Sequence, residues 1–493
     1  MKKSVIFKLI AIMLCLVMTF TVFASCKKTT GGGESSTLSD TTATLETESI
    51  YDDNGFLLDE LPDDLDYKNT DFTIFTWSNQ TVWEWNETSQ SGDLINDSLY
   101  VRMLKVEERL NINIEIVSQP GEWNNRQSFI ETLAQSVKSS SGYYDLVGQY
   151  TAATGIGTMQ KLYTDLKEVP YIDLEKPWWP TDITNNCTIN GKLYFTTGDI
   201  TPTTIRAMGT VMANLDMAEN LGINADDLYN YVYNHEWTME KVKELTLGTT
   251  TGYNPDGTDA YGFTFNDNVM YDHMFYASGL KFIENDNDGN LALSDSINSE
   301  KMIDWYTTCQ KYLFENSDVA LVAIDKAFTL GNSLFHLCVI ANVQNFMTDV
   351  DFKFAILPTP LVDEEQDDYY TSSGMWVTYY SVPTDAPDFS FSGAGTEALA
   401  SDGYRRTTPT FYEQAFQLRY LETEQNAKMF DILHETLVFD TVRFFADQVK
   451  GSASLFSAFR NAATSSSGSW TTIYDANSSA WKSSITAIMD QME

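Results

Sequence analysis

Between residues 71 and 147 the spacing of apolar positions switches between two periods. Asp71-Phe-Thr-Ile-Phe-Thr-Trp77 is rich in β-branched and aromatic residues and follows a polar lead-in, which predicts a first strand. Ile95, Leu99, Met103, Val106 and Leu110 then recur every three or four residues, as one face of a helix requires. Ile112, Ile114 and Ile116 alternate with polar neighbours, the pattern of a half-buried strand. Phe129, Ile130, Leu133 and Val137 predict a second helix, and Tyr144-Asp-Leu-Val147 a third strand. This alternation builds a parallel α/β layer, whose ligand crevice lies beyond the carboxyl ends of the strands. The rule singles out Trp77 to Asn79 and Gly148 to Tyr150.

From about Leu162 prolines punctuate the chain, at Pro170, Pro177 and Pro180. Trp178 and Trp179 lie between two of them and read as packing residues. Asn190-Gly191 is a turn signal, and Lys192-Leu-Tyr-Phe195 reads as a short strand leaving it. Thr238 is placed to cap a helix from Met239 to Leu245, with Trp237 before it in the core. Pro255-Asp256-Gly257 and Asp286-Asn287-Asp288-Gly289-Asn290 read as turns. Glu284, Asp286, Asp288, Gly289 and Asp295 mimic the spacing of a calcium loop, but with the wrong carboxylates at its ends; a tight turn accounts for them, and no metal site is assigned.

The first residues form a different kind of segment. Lys2, Lys3 and Lys8 precede an apolar run from Leu9 to Phe23, and Ala24 and Ser25 stand before Cys26. This resembles the lipobox of bacterial lipoproteins, although Phe23 stands where that pattern prefers Leu. The resemblance implies export, removal of residues 1–25 and a lipid on Cys26. Residues 26–54, rich in Ser, Thr, Asp and Glu, are then a flexible tether holding a globular body near the outer face of the cell membrane.

Net charge is −38, and loss of the leader lysines makes it more negative, which excludes nucleic acid as a partner. Once Cys15 and Cys26 are set aside, Cys187, Cys309 and Cys338 remain, an odd and scattered set that argues against a disulfide framework or zinc site and reads as buried free thiols, with a single bridge as the alternative. Aromatics make up 13% of the chain, with 11 Trp and 26 Tyr. Flat apolar faces with polar edges suit sugar rings as well as ordinary cores.

Tyr144-Asp-Leu-Val147, Leu162-Tyr-Thr-Asp-Leu166, Lys176-Pro-Trp-Trp179, Asn190-Gly-Lys-Leu-Tyr194, Gly198-Asp199, Asn214-Leu-Asp216 and Trp237-Thr238 follow one another in a telling order. Gly331-Asn-Ser-Leu-Phe335, Phe354-Ala-Ile-Leu-Pro-Thr-Pro360 and Val382-Pro383 continue it. Together they resemble the extracellular sugar-binding lipoproteins of ATP-binding-cassette importers, relatives of maltose-binding protein. The resemblance implies an α/β, two-lobed periplasmic-binding-protein-like clamshell with crossing hinge segments. It places lobe 1 at 55–197 with 330–395 and lobe 2 at 198–329 with 396–493. It also implies a monomer that captures a small solute or oligosaccharide, uses no cofactor, and delivers its cargo to permease subunits.

The architecture and the resemblance nominate seven ligand-binding residues. Trp77 ends the first strand as a stacking platform, and Tyr150 follows the third. Asp199 lies in the first crossing segment and is suited to paired hydroxyls. Tyr271 and Asp272 precede an apolar run in lobe 2, Trp376 follows the flexible Thr371-Ser-Ser-Gly374, and His336 lies near a cleft position of the relatives. Two alternatives stay open. The same fold binding a peptide, polyamine or glycerophosphate ester is one. A secreted glycoside hydrolase is the other, but no carboxylate pair stands out, and the chain has no Gly-x-Ser-x-Gly, His-Glu-x-x-His or phosphate loop.

Overall fold

Strand β1 (Thr70–Trp77) forms where its apolar run predicts it and becomes the spine of a four-stranded sheet. The computed structural model describes residues 50–85, 89–249, 259–266, 270–286, 289–314, 318–416, 424–451, 454–463, 465 and 468–492. Beside β1 lie β2 (Ile112–Gln119) and β3 (Leu146–Tyr150), both parallel to it, with Thr70 opposite Ile112 and Ile74 opposite Leu146. Phe72 and Ile74 face one layer of helices while Phe75 and Trp77 face the other. Burial on both faces explains why the strand reads as a continuous apolar run.

Helix Leu94–Leu110 joins β1 to β2. Asp93 caps it by accepting from the Asn96 N–H at 2.9 Å, and Asn111 ends it in the left-handed region at φ 50°. The five residues whose spacing predicts its inner face are all buried. Helix Arg126–Ser139 joins β2 to β3, and its Phe129 stacks on Phe75 with ring centroids 4.4 Å apart.

The chain then enters a second sheet. Its path runs through β4 (Gly209–Asn214), β5 (Tyr261–Phe265), the hairpin of β6 (Ile283–Asn285) and β7 (Leu291–Leu293), β8 (Val319–Leu321), β9 (Ser333–Val339) and β10 (Phe354–Leu357). The sheet order is β10-β4-β9-β5-β8, with β5 parallel to β9 and β8 and β4 antiparallel to β9 and β10. The hairpin pairs on its own, and Asp286 closes its turn by accepting from the Asn290 N–H at 2.9 Å. After the short β11 (Thr371–Ser372) the chain returns as β12 (Thr378–Ser381), antiparallel to β3, and later pairs β13 (Leu437–Val438) with β11.

Two expectations about the lobes change. Residues 330–357 do not join the first lobe, because β9 and β10 hydrogen-bond within the second sheet. Residues 396–402 stay with the first lobe. They end helix Phe389–Asp402, whose Phe391 meets Phe72 of β1 at 5.3 Å and whose Gly395 lies directly on the same ring. Lys192–Phe195 is no strand; the Asn190-Gly191 turn is present, with both residues at positive φ, but a single bridge between Ile189 and Lys192 flanks it. Thr238 caps helix Met239–Thr246 as expected, and Trp178, Trp179 and Trp237 are buried. Cys187, Cys309 and Cys338 are buried free thiols. The leader, Cys26, nearly all of the tether, the Pro255-Asp256-Gly257 turn, and Asn287 and Asp288 lie outside the described residues; of the tether, Tyr51 forms a bridge with Leu57. Among the described residues no helix is long and apolar enough to cross a membrane.

Two segments link the sheets and run antiparallel, residues 196–208 outward and 373–380 on the return. Thr196 and Tyr380 exchange backbone hydrogen bonds of 3.0 and 2.7 Å, and the Gly374 N–H donates to the Ala207 carbonyl at 2.7 Å. Between these points threonine hydroxyls do the pairing. Thr197 Oγ1 donates to the Thr378 carbonyl at 2.8 Å, and the Thr378 N–H donates to Thr203 Oγ1 at 3.0 Å. Gly198, at φ 125°, has the Trp178 carbonyl 2.2 Å from where a Cβ would sit, so a side chain is excluded there.

Close approach also governs helix Thr151–Met159, which follows β3. A Cβ on Gly155 would lie 2.0 Å from the Phe444 carbonyl oxygen. Gly155→Ala should therefore destabilise the protein by about 1 to 3 kcal/mol despite the better helix propensity of Ala. A urea midpoint equal to or above that of the unaltered protein would contradict this packing.

Candidate functional site

The carboxyl ends of the first sheet's parallel strands carry a row of aromatic side chains. Beyond β1, the one-turn helix Thr81–Glu84 presents Trp83, which is 37% exposed. Beyond β2 stands Trp123, 44% exposed. Tyr150 ends β3, and Met375 and Trp376, both half-buried, stand just before β12. The loops are tied to one another: Asn79 Oδ1 accepts from the Gly121 N–H at 3.1 Å, and Thr151 Oγ1 donates to the Met375 carbonyl at 2.6 Å.

From the second sheet, the carboxyl ends of two parallel strands arrive at the same place. Helix Tyr271–Ala277 follows β5 and carries Asp272, while helix Ala341–Phe346 follows β9 and carries Gln344. Crevices beyond strand carboxyl ends are where open α/β sheets bind ligands. Here two such crevices meet across the crossing segments.

Arginines organise the charge. Arg126 grips Asp447 with Nε and Nη2 at 2.7 and 2.9 Å, and its guanidinium lies over the Trp123 ring at 4.0 Å. Arg460 grips Asp272 with the same edge, its Nε at 2.8 Å, and Arg443 Nη2 stands 3.7 Å from that carboxylate. Arg206, on the outward crossing segment, lies over the Trp83 ring at 3.7 Å and donates Nη1 to Gln344 Oε1. Burial pushes the Tyr150 hydroxyl up to about 12, opposed by Arg443, Arg126 and Arg460. Burial lowers the Arg206 guanidinium to about 10.

Of the seven nominated residues, Tyr150, Trp376 and Asp272 stand at this junction, but Tyr150 is buried at 7% exposure and Asp272 is 1% exposed with both carboxylate oxygens held by Arg460. Trp77 is there too but is only 1% exposed; its indole N–H donates to Thr378 Oγ1 at 2.7 Å and its ring meets Tyr150 at 5.3 Å, so it supports the site from beneath and offers no free face. Tyr271 packs edge-on against Phe265 and is core. His336 is a correction: it lies in the middle of β9, fully buried, with Nδ1 2.8 Å from Thr264 Oγ1 and its ring beside Phe328, so it lies in the core and not in a cleft. Asp199 is buried in the crossing segment, where Thr408 Oγ1 donates to it at 2.6 Å; burial raises its carboxyl above the ordinary range, opposed by His434 and Thr408.

Asp199 also borders a separate cavity of about 690 Å³, lined among others by Trp179, Asp182, Tyr370 and His434. None of Trp83, Trp123, Tyr150 and Trp376 lines it. We place the candidate site at the aromatic row because the strand ends of both sheets converge there. Sequence reasoning missed Trp83, Trp123 and the four arginines. The rule about strand ends, applied to β2 as well as to β1 and β3, reaches Trp123.

No protein-family model matches the sequence, and no curated protein does. Solved structures match along most of the chain. The cyclic alpha-maltosyl-1,6-maltose binding protein from Arthrobacter globiformis is 13% identical, with 85% of this chain and 99% of that one covered at a TM-score of 0.53. The galacto-N-biose-/lacto-N-biose I-binding protein of the ABC transporter from Bifidobacterium longum, in complex with lacto-N-biose, is 13% identical, with 86% and 98% covered at 0.53. The sugar-binding protein MalE from Xanthomonas citri is 11% identical, with 86% and 97% covered at 0.53. The chain has the two-lobed solute-binding fold. At such identities the likeness is one of fold, and within that fold the junction of the two sheets is the interlobe cleft.

Glu84 anchors the cleft wall to the crossing segment. It is fully buried, accepts from Thr201 Oγ1 at 2.5 Å, and leaves Oε2 without a partner among the described residues. Burial pushes its carboxyl from 4.5 up to about 7, opposed by Thr201, Thr378, Arg102 and Thr203. A carboxyl with a raised folded-state pKa holds its proton longer in the fold. Its contribution is therefore full below about pH 4.5 and is lost as pH rises to about 7. Glu84→Gln keeps the acceptor for Thr201 and cannot ionise. Relative to the unaltered protein it should gain about 2 to 3 kcal/mol in denaturation free energy between pH 5 and pH 8. An equal offset at both pH values would refute the assignment.

Proposed function

We propose that this protein captures an oligosaccharide outside the cytoplasm, without altering it covalently, and delivers it to the permease subunits of an ABC importer. The observation that carries this reading is the aromatic row Trp83, Trp123, Tyr150 and Trp376 at the meeting of two sets of strand ends, interleaved with arginine and aspartate side chains. Aromatic faces stack on the C–H faces of sugar rings while charged edges take the hydroxyls. The solved structures of the same fold support it, since the three named above are by name a cyclic maltosyl-maltose binder, a galacto-N-biose/lacto-N-biose I binder and a sugar-binding protein. In this reading the chain is a monomer held to the membrane by a lipid on Cys26.

Hydrolysis is disfavoured because the raised carboxyls, Glu84 at the cleft wall included, are buried side chains held by the fold: Glu84 is fully buried and bonded to Thr201 of the crossing segment. Glu397, pushed up to about 8 by burial, accepts both the Trp178 and Trp179 indole N–H groups inside the first lobe. Asp440, pushed up to about 6, accepts from the Phe282, Ile283 and Val442 N–H groups. Neither is free to protonate a leaving group across a scissile bond.

Calorimetry of the full chain against neutral and acidic oligosaccharides, peptides and polyamines tests the reading, with binding heat expected for a saccharide and no release of reducing ends. Trp83→Ala and Trp123→Ala should each weaken that binding by about 1 to 3 kcal/mol in a folded protein. Heat from peptides or polyamines with none from any saccharide would overturn it.

A further inference from the structure

Three arginines of this chain use one and the same edge. Arg126, Arg406 and Arg460 each direct Nε and Nη2 together at an aspartate, taking its two carboxylate oxygens side by side. Such a fork matches the geometry of a carboxylate and gives strong, charge-assisted bonds. In Arg206 that edge is empty. Nη1 is taken by Gln344, Nε is buried with no partner among the described residues, and no described carboxylate forms an ion pair with the guanidinium. The residue is nonetheless only 4% exposed.

An arginine in that condition is costly, because burial strips water from a charge that the Trp83 ring and Gln344 compensate only in part and no described carboxylate balances. It is also out of keeping with the composition. The chain has 69 acidic residues against 31 basic ones, so carboxylates are plentiful. Around the cleft, Arg126 pairs with Asp447 and both Arg443 and Arg460 face Asp272, whereas Arg206 has no ion pair among the described residues. That unbalanced guanidinium stands where the ligand would bind.

Resting on the oligosaccharide reading above, we propose that the ligand supplies the missing carboxylate: the cargo is an acidic saccharide carrying a uronate, whose carboxylate docks on the Nε–Nη2 edge of Arg206 while its ring stacks near Trp83. Trp83 already holds the guanidinium plane from one side at 3.7 Å, and Gln344 fixes its far end, so the fork is oriented before ligand arrives. The acidity of the whole chain does not oppose this. At physiological ionic strength the field of distant surface charges is screened within about 8 Å, whereas a desolvated fork acts at contact.

The test is a titration of the full chain with oligomers of galacturonate, mannuronate and glucuronate, each beside the same oligomer with its carboxylates reduced to alcohols. At least one acidic oligomer should bind about tenfold to a hundredfold more tightly than its reduced partner. Arg206→Gln should abolish that difference, and Arg206→Lys should restore part of it. Reduced or naturally neutral oligosaccharides binding as tightly as the acidic ones would overturn the proposal and leave sugar capture standing. A preference that survives Arg206→Gln would also overturn it, as would a 6-phosphorylated disaccharide that outcompetes every uronate. The comparison of each oligomer with its reduced partner needs no variant, so misfolding of a substituted chain does not blunt the test. If no saccharide of either kind binds, the capture reading fails as well.

Discussion

A peptide segment that passes between two sheets carries N–H and C=O groups that water cannot reach, and each one left unpaired costs on the order of 1 to 3 kcal/mol. The crossing segments of this protein meet that constraint by running antiparallel and by lining themselves with threonine. Thr196, Thr197, Thr201, Thr203 and Thr204 are all buried, and several of their hydroxyls stand in for ladder partners where the two strands diverge. A β-branched side chain that can both donate and accept stiffens the segment and satisfies it at once. Several cleft side chains are hung from this pair. Glu84 reaches Thr201 and Thr203, Trp77 reaches Thr378, and Arg443 reaches the Ser373 carbonyl.

The same segments explain how an acidic protein keeps arginines at its centre. Arg126, Arg443 and Arg460 are each positioned by a backbone carbonyl or an aromatic face as well as by a carboxylate, and Arg206 by the Trp83 ring and the Gln344 side chain alone among the described residues. Arg126 bonds the Trp123 carbonyl and lies on its ring, and Arg443 lies 5.3 Å from the Tyr276 ring. Cation–π contact and carbonyl bonds compensate part of the desolvation without cancelling the charge. His273, buried behind Asp272 and bonded to Ser372 Oγ, is held down to about 4, by burial first and by Arg443 next, and so stays neutral beside these cations.

Local periodicity was enough to read the first sheet. The helix face from Ile95 to Leu110 and the apolar run of β1 depend on neighbours within a few residues, and both stand where their spacing puts them. Lobe membership was not legible for 330–357, because Ser333–Val339 is buried along its whole length and such a strand pairs equally well in either sheet. Its partners, β4 and β5, lie far away in sequence. For the cleft, the rule about strand ends points to Tyr150, and the segment before Trp376 to that residue, but Trp77 reads as free, since nothing local announces the Thr378 hydroxyl that takes its indole N–H. Arg206 gave no signal at all. Its significance is a missing partner, and a sequence does not show which of its many carboxylates stay away.

On the proposed reading, the placement of Arg206 would link binding to closure. Its guanidinium sits on the crossing segment itself, Trp83 comes from the first sheet's side, and Gln344 comes from the second. A group bound at that edge would act on a guanidinium already tied to elements of both lobes. Ligands shift a two-state equilibrium only by their differential affinity for the two states. A contact made within one lobe binds open and closed forms alike, whereas one made across the junction is complete only when the lobes are together. On the same reading, stacking on Trp123 alone would give affinity without closure, and the fork beside the crossing threonines would be where affinity and closure become the same interaction.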